Sequence, residues 1–211
     1  MLTSAPSVAF LLASLVLAAT PGPDVVYIVA RTLAQGRCAG LASVAGVAAG
    51  NLGNAIGASL GLAALFALSS LAFEVVKFAG AAYLVYLGVK ALRRAPVGAT
   101  PFGAGATQLR RIARDGFLVA LLNPKTALFF AAFLPQFIDP AGSTAAQGLL
   151  LGVIFVLIAV ASDTGYVLAA HLVAARIGAG RRFDAFGRYA AAATYFGLGI
   201  FTATTGTRTS R

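Results

Sequence analysis

Three charged side chains stand where charge is most expensive. Asp24 lies in "TPGPD" at residues 20–24, Lys125 in "NPK" at 123–125, and Asp163 in "VASDTGY" at 160–166. All three sit within apolar surroundings. At the centre of a bilayer each would cost about 2.5–3.5 kcal/mol, and together close to ~10 kcal/mol if the costs add. Groups that costly must face a bundle interior or a wet cavity, and one another. Their chemistry is complementary to a zwitterion, since a carboxylate suits an ammonium group and an ammonium suits a carboxylate. The three sum to −1 when ionised, and a zwitterionic ligand leaves that sum unchanged. One uncompensated negative charge in a low-dielectric site invites a proton. Asp163 is the candidate for that coupling role.

The charges accompany two interruptions of apolar helices. Pro21 and Pro23 lack backbone N–H groups, and a proline ring clashes with the preceding helical turn. A break leaves free carbonyls before it and free N–H groups after it. In lipid such groups are tolerated only where they line a cavity or are satisfied again by neighbours. The helix restarting near Asp24 offers a partial positive charge suited to a carboxylate, and Asp24 itself suits an ammonium. Asn123-Pro124 makes a second break. The candidate substrate-binding residues are therefore Thr20, Pro21, Gly22, Pro23 and Asp24 at the first break, and Asn123, Pro124 and Lys125 at the second. Asn51 and Asn54 lie at the same depth and can hydrogen-bond either a substrate or a partner helix. The glycines beside them, at 46, 50, 53, 57 and 61, form one helical face and read as close helix packing.

Composition says what must hold these residues. Of 211 residues 59% are hydrophobic and only 10% charged, against roughly 25% charged in an average soluble domain. Mean hydropathy is +0.88. This is an all-α integral membrane protein. Six apolar segments are long enough to span, approximately 6–30, 39–67, 71–91, 116–138, 147–171 and 187–206. Met1 to Ser7 carry no positive charge, so the opening segment is read as a span and not as a signal peptide. The net charge of +10 gathers in alternate connections: Arg31 and Arg37; then Lys90, Arg93, Arg94, Arg110, Arg111 and Arg114; then Arg176, Arg181, Arg182 and Arg188. The other two connections carry no basic residue. That alternation places the basic loops inside the cell and both termini outside, and it replaces a nucleic-acid reading of the charge. Glu74 and Lys77, three apart, read as a pair near a helix end, and His171 as interfacial.

The glycine- and proline-rich stretch 95–109 reads as a flexible cytoplasmic linker within a single transmembrane domain, 1–211. It separates two three-span halves, about 1–94 and 110–211. Three is odd, so the halves enter the membrane with opposite orientation, as in an inverted repeat. Pro21 lies ten residues before Arg31, and Pro124 ten residues after Arg114. At ~1.5 Å per residue both breaks fall roughly 15 Å from the basic boundary, near mid-membrane. Helices one and four, broken at proline at one depth, point to a binding site between the halves. A single cysteine (Cys38) and a single histidine (His171) exclude a disulfide and leave no metal or cofactor site. No nucleophile–base pattern supports an enzyme, and the buried charges argue against a passive channel.

The chain resembles the LysE/RhtB family of bacterial amino-acid exporters. The resemblance is carried by "TPGPD" (20–24), "GAAYLVYLGVKALR" (80–93), "NPK" (123–125) and "FFAAFLPQF" (129–137). It implies a six-helix inner-membrane secondary transporter that moves amino acids or related small solutes outward, driven by an ion gradient, a proton being expected. Pro21, Gly22, Pro23, Asp24, Asn123, Pro124 and Lys125 occupy the family's motif positions. Many members carry an acidic residue in span two where this chain has Gly50-Asn51. Its absence favours neutral amino acids of the homoserine, threonine or branched-chain kind over lysine and arginine. Export of basic amino acids or other small solutes and cations remains the alternative. The expected partners are the amino-acid substrate, the coupling proton or ion and the lipid bilayer, with no nucleic acid; a homo-oligomer is admitted.

The loop charges make a topological prediction. Impermeant thiol reagents should fail to reach single cysteines placed at Gly103 and Gly180 in intact cells, yet label one at Ser143. Equal labelling of Gly103 and Ser143 would overturn the six-span arrangement.

Overall fold

The computed structural model of the chain describes residues 5–60, 70–93, 105–139 and 141–177, and scattered positions between 189 and 203. All regular structure among the described residues is helical. Helix α1 covers Ala5–Ala19, α2 Pro23–Gln35, α3 Arg37–Ser59, α4 Ser70–Leu92, α5 Ala106–Leu121, α6 Pro124–Ala132 and α7 Thr144–Ile177, with a 3₁₀ turn at Leu134–Phe137. By length and composition α3 and Thr144–Arg176 of α7 can each cross a membrane, and the α1–α2 pair adds a third span bent by 46° at its break. Helix α4 contains a shorter apolar stretch, Phe78–Val89.

The expected spans map onto this order with differences at their ends. The segment expected as span one holds α1 and most of α2, interrupted at residues 20–22, and the segment expected as span four holds the second part of α5 and all of α6, interrupted at 122–123. Residues 61–67 of span two, 95–104 of the linker and most of span six lie outside the described residues. Helix α5 begins at Ala106 behind an N-cap at Gly105, so residues 106–109 of the expected linker are helical. The reason is packing: Leu109 and Ile112, three apart, join the cluster around Tyr27 and Tyr195. Of the pair expected near the end of span three, Glu74 is exposed, and the Lys77 side chain lies outside the description.

Helix α3 is the centre of the bundle. Its broadest contact is with α5, followed by α7 and α2. A Cβ on Gly50 would lie 2.5 Å from the Phe117 carbonyl oxygen and 2.8 Å from the Ala120 Cβ, and one on Gly46 would run into the Ala113 carbonyl. Gly116 answers from α5, where a Cβ would stand 3.0 Å from the Ser43 oxygen. Lipid tails are as apolar as leucine, so helices associate in a membrane by such close approach. On the other side of α3, Ala55 meets Gly152 and Gly40 meets Val167, which sets α7 antiparallel to it. Gly36 (φ +81°) makes the turn from α2 into α3, a backbone region that glycine enters without a steric cost.

The two ends of the bundle close differently. Phe10, Phe129, Phe130, Leu134 and Phe155 pack one end, with Phe10 and Phe137 ring centroids 5.3 Å apart. The other end holds Tyr27, Leu84, Leu87, Ile112 and Tyr195. Outward faces stay apolar: Leu12, Val16, Leu157 and Leu172 are all more than half exposed, the surface a bundle presents to lipid.

Gly50→Val should separate α3 from α5, because a backbone carbonyl cannot step aside. Overpacking of this kind costs about 1–3 kcal/mol, a fall of several degrees in Tm. Gly53→Ala, whose Cβ would meet the flexible tip of Leu121 at 3.1 Å and the Phe117 ring at an ordinary 4.0 Å, should be near neutral. Thermal unfolding of the detergent-purified variants checks the contrast; equal Tm values would refute it.

Candidate functional site

Helix α1 ends in mid-bundle, and its terminal carbonyls need donors. Each is supplied. Thr20 turns back on its own helix, its N–H and Oγ1 donating to the Val16 oxygen at 3.0 and 2.6 Å. The Lys125 ammonium donates to the oxygens of Leu17 (2.8 Å) and Thr20 (2.5 Å). From α7, Ser162 Oγ donates to the Ala18 oxygen at 3.2 Å and the Tyr166 hydroxyl to the Ala19 oxygen at 2.7 Å. The backbone opened by the first break is thus satisfied by the lysine that follows the second break and by two hydroxyls one turn apart on α7.

The restart is held locally. Pro23 and Asp24 open α2 behind Gly22, and the Val25 N–H donates to Asp24 Oδ1 at 3.0 Å. A carboxylate in the first turn also complements the helix dipole. The second break is built the same way. Asn123 caps α6, its Oδ1 accepting from the Lys125 N–H at 3.1 Å, and Pro124 occupies the first turn.

Gly22 joins the two breaks. A Cβ there would lie 2.9 Å from Asp24 Oδ1 and 3.3 Å from Lys125 Nζ. The carboxylate and the ammonium therefore flank one point. Asp163 completes the set: Asp24 and Asp163 both act electrostatically on Lys125 and on each other. Both carboxylates are buried, Asp24 at 9% exposure and Asp163 at 4%. Asp163 interrupts the buried stripe Phe155, Ala159, Val167 and Ala170 of α7. The three charges act on one another through space, without a direct ion pair. Among the described residues neither carboxylate comes within ion-pair distance of Lys125, because the ammonium is taken up by the two carbonyls.

The remaining candidates divide. Asn51 and Asn123 are each 1% exposed, and Asn51 Oδ1 and Asn123 Nδ2 have no hydrogen-bond partner among the described residues. Unpartnered buried amides are costly, so these two are available to a ligand. Asn54 takes the packing role, since its Nδ2 donates to the Ala120 oxygen of α5 at 2.9 Å. Thr20 and Pro21 are exposed, and the Thr20 hydroxyl serves its own helix.

Sequence reasoning missed three features. Ser162 and Tyr166 flank Asp163 with hydroxyls four apart in a mostly apolar helix, which is a legible signal. Arg31, which the charge pattern assigns to a loop, lies in α2, and its Nη2 reaches Asp115 Oδ2 at 3.3 Å. The local sequence cannot show that pairing, because 84 positions separate the partners. The Arg31 guanidinium also lies 5.1 Å from the Tyr27 ring centroid. The Tyr83 hydroxyl donates to Asp115 Oδ1 at 3.4 Å, and the Tyr27 hydroxyl to the Ile112 oxygen at 2.7 Å. This cluster ties α2, α4 and α5 together at the basic end. Asp115, the lone acid in "RRIARDGF", was its visible trace.

The profile of the LysE type translocator family matches residues 15–206. The homoserine/homoserine lactone efflux protein of Salmonella typhimurium is 39% identical over 171 residues, 80% of this chain and 82% of that protein. An uncharacterized membrane protein of Vibrio cholerae is 37% identical over 166 residues, covering 78% and 80%. The leucine efflux protein of Salmonella choleraesuis is 30% identical over 138 residues, 62% of each chain. No solved structure gives a significant match.

Gly22 has φ −142° and ψ −174°, extended backbone open to any residue. Gly22→Ala therefore tests space alone. The added methyl should push Asp24 Oδ1 and Lys125 Nζ apart, leaving Tm within a few degrees of the parent while ligand flux through the protein falls by at least about tenfold, the effect of ~1.4 kcal/mol at a binding step. Flux assays in liposomes beside a thermal melt check it; undiminished flux would mean that the space at Gly22 is not used.

Proposed function

The chain belongs to the LysE type translocator family, and we propose that it is a proton-coupled exporter of neutral amino acids in the bacterial inner membrane. The observation that carries this reading is the convergence of Asp24, Lys125 and Asp163 on the meeting point of two broken helices. A carboxylate and an ammonium flanking Gly22 are matched to the two charged ends of an amino acid. A binding site formed by interrupted helices between two halves suits alternating access. The proposed architecture is six spans in two inverted three-helix halves, about 1–94 and 110–211, with both termini outside.

The neutral preference rests on Asn51. It is buried without a charge in span two, where an acidic residue would favour a cationic side chain. The names of the relatives, homoserine/homoserine lactone efflux protein and leucine efflux protein, concern ligands whose side chains carry no charge, and they support the same choice. In this reading Asp24 takes the substrate's ammonium, Lys125 takes its carboxylate, and Asn51 and Asn123 read its polar groups with their free amide atoms. Asp163, one position from the hydroxyl that holds the Ala18 carbonyl, alternates between protonated and ionised forms as the net charge of the loaded site requires.

Asp163→Asn imitates the protonated form. In liposomes it should retain exchange of homoserine or leucine across the membrane but lose accumulation driven by a pH gradient, while Asp24→Asn should weaken both. Uphill transport by Asp163→Asn with unchanged pH dependence would remove Asp163 from the coupling role. Absence of amino-acid flux in the parent protein would overturn the functional reading itself.

A further inference from the structure

We propose that the end of α1 is a binding cradle for a primary ammonium group, that Lys125 fills it in the empty protein, and that the substrate's ammonium displaces Lys125 from it. This rests on the function proposed above for the identity of the natural ligand, but the cradle itself rests on geometry alone.

Lys125 is placed as a ligand would be. Its ammonium donates to the oxygens of Leu17 and Thr20, 2.8 and 2.5 Å away, and faces Asp24 Oδ1 across Gly22. The two carbonyls accept from two of the three N–H donors of a primary ammonium, and the Asp24 carboxylate, beyond ion-pair distance, supplies a balancing charge. The α-ammonium of an amino acid presents the same group. A quaternary ammonium has no donor and cannot replace it.

The carbonyls at this terminus are served by two kinds of donor. Ala18 and Ala19 are held by Ser162 and Tyr166, short or rigid side chains anchored on α7. Leu17 and Thr20 are served by an ammonium on a flexible four-carbon stem. The hydroxyls can keep the break in shape while the lysine leaves. The Thr20 N–H, 3.3 Å from the Leu17 oxygen, gives that carbonyl a residual partner. Only Thr20 would then be left bare, and the incoming ammonium covers it.

Displacement also frees Lys125 for a second task. Released from the carbonyls, its charge is available to the substrate's carboxylate, the group that arrives with the displacing ammonium. One event thus seats both ends of a zwitterion. A simple amine offers the released lysine no new partner and so does not displace it, and amino acids are selected over amines by the same exchange.

The test uses the full-length protein and methylammonium as the probe. Lys125→Ala removes the tethered ammonium and should lower Tm. Saturating methylammonium should restore it by about 3 °C or more, whereas tetramethylammonium and sodium should not. The parent protein, with its cradle filled, should respond to none of the three. Lys125→Met, which keeps an apolar stem, is carried in parallel, and both variants are also solubilised in methylammonium from the start. A gain in folded, monodisperse protein under that condition counts as rescue. Failure of methylammonium to rescue either variant would overturn the proposal. So would equal rescue by tetramethylammonium, which would indicate a nonspecific salt effect, or a response to sodium, which would indicate a metal-cation site. Methylammonium rescue in a protein that moves no amino acid would leave the cradle standing and remove the exporter reading, so the two failures are distinguishable.

Discussion

A carbonyl without a donor cannot be left in hydrocarbon, and the architecture around residues 16–20 follows from that constraint. Proline at 21 and 23 ends α1 well inside the apolar run, so several carbonyls lose their intrahelical donors at once. The required donors have to come from other helices. They come from Lys125 at the head of α6 and from Ser162 and Tyr166 on α7. A local defect in one helix therefore becomes a long-range tie between the N-terminal and C-terminal parts of the chain.

The tie also explains how three costly charges are tolerated. Lys125 exchanges water for carbonyl oxygens and keeps two carboxylates within electrostatic reach. Asp24 accepts a backbone N–H in the first turn of α2, where the helix dipole favours it. Gly22 keeps the space between carboxylate and ammonium free of a side chain. Packing supplies the frame: α3 lies against α5 through glycines on both helices and against α7 on its opposite side. The pieces that carry the charges are the short helices at the breaks, α2 and α6, together with α7, whose buried face presents Asp163.

The two ends of the bundle are closed by different physics. Phenylalanines seal one end by apolar contact and ring packing. The other end is sealed by Arg31, Asp115, Tyr27 and Tyr83, whose hydrogen bonds are directional and depend on each partner. Asp115 also has Arg114 Nη2 at 3.8 Å, so its carboxylate is shared between two guanidinium groups. On the proposed function, this polar closure lies on the cytoplasmic side of the site, where the basic loops are expected.

Much was written in the chain. Hydropathy and charge sufficed for a helical membrane protein, because lipid allows few alternatives. The prolines located both breaks to within a residue or two, because a missing N–H is a property of the residue itself. Asp24, Lys125 and Asp163 stood out because charge in an apolar run is costly wherever the run folds. What the chain could not reveal was partnership. Whether Lys125 would meet a carboxylate or a carbonyl, whether Asn54 would face a ligand or the Ala120 oxygen, and that Arg31 would leave its loop for Asp115 all depended on which helices became neighbours. Composition and periodicity are local, and a hydrogen bond between residues a hundred positions apart is not. Only the packing of α3 against α5 and α7 brings those atoms within reach of one another.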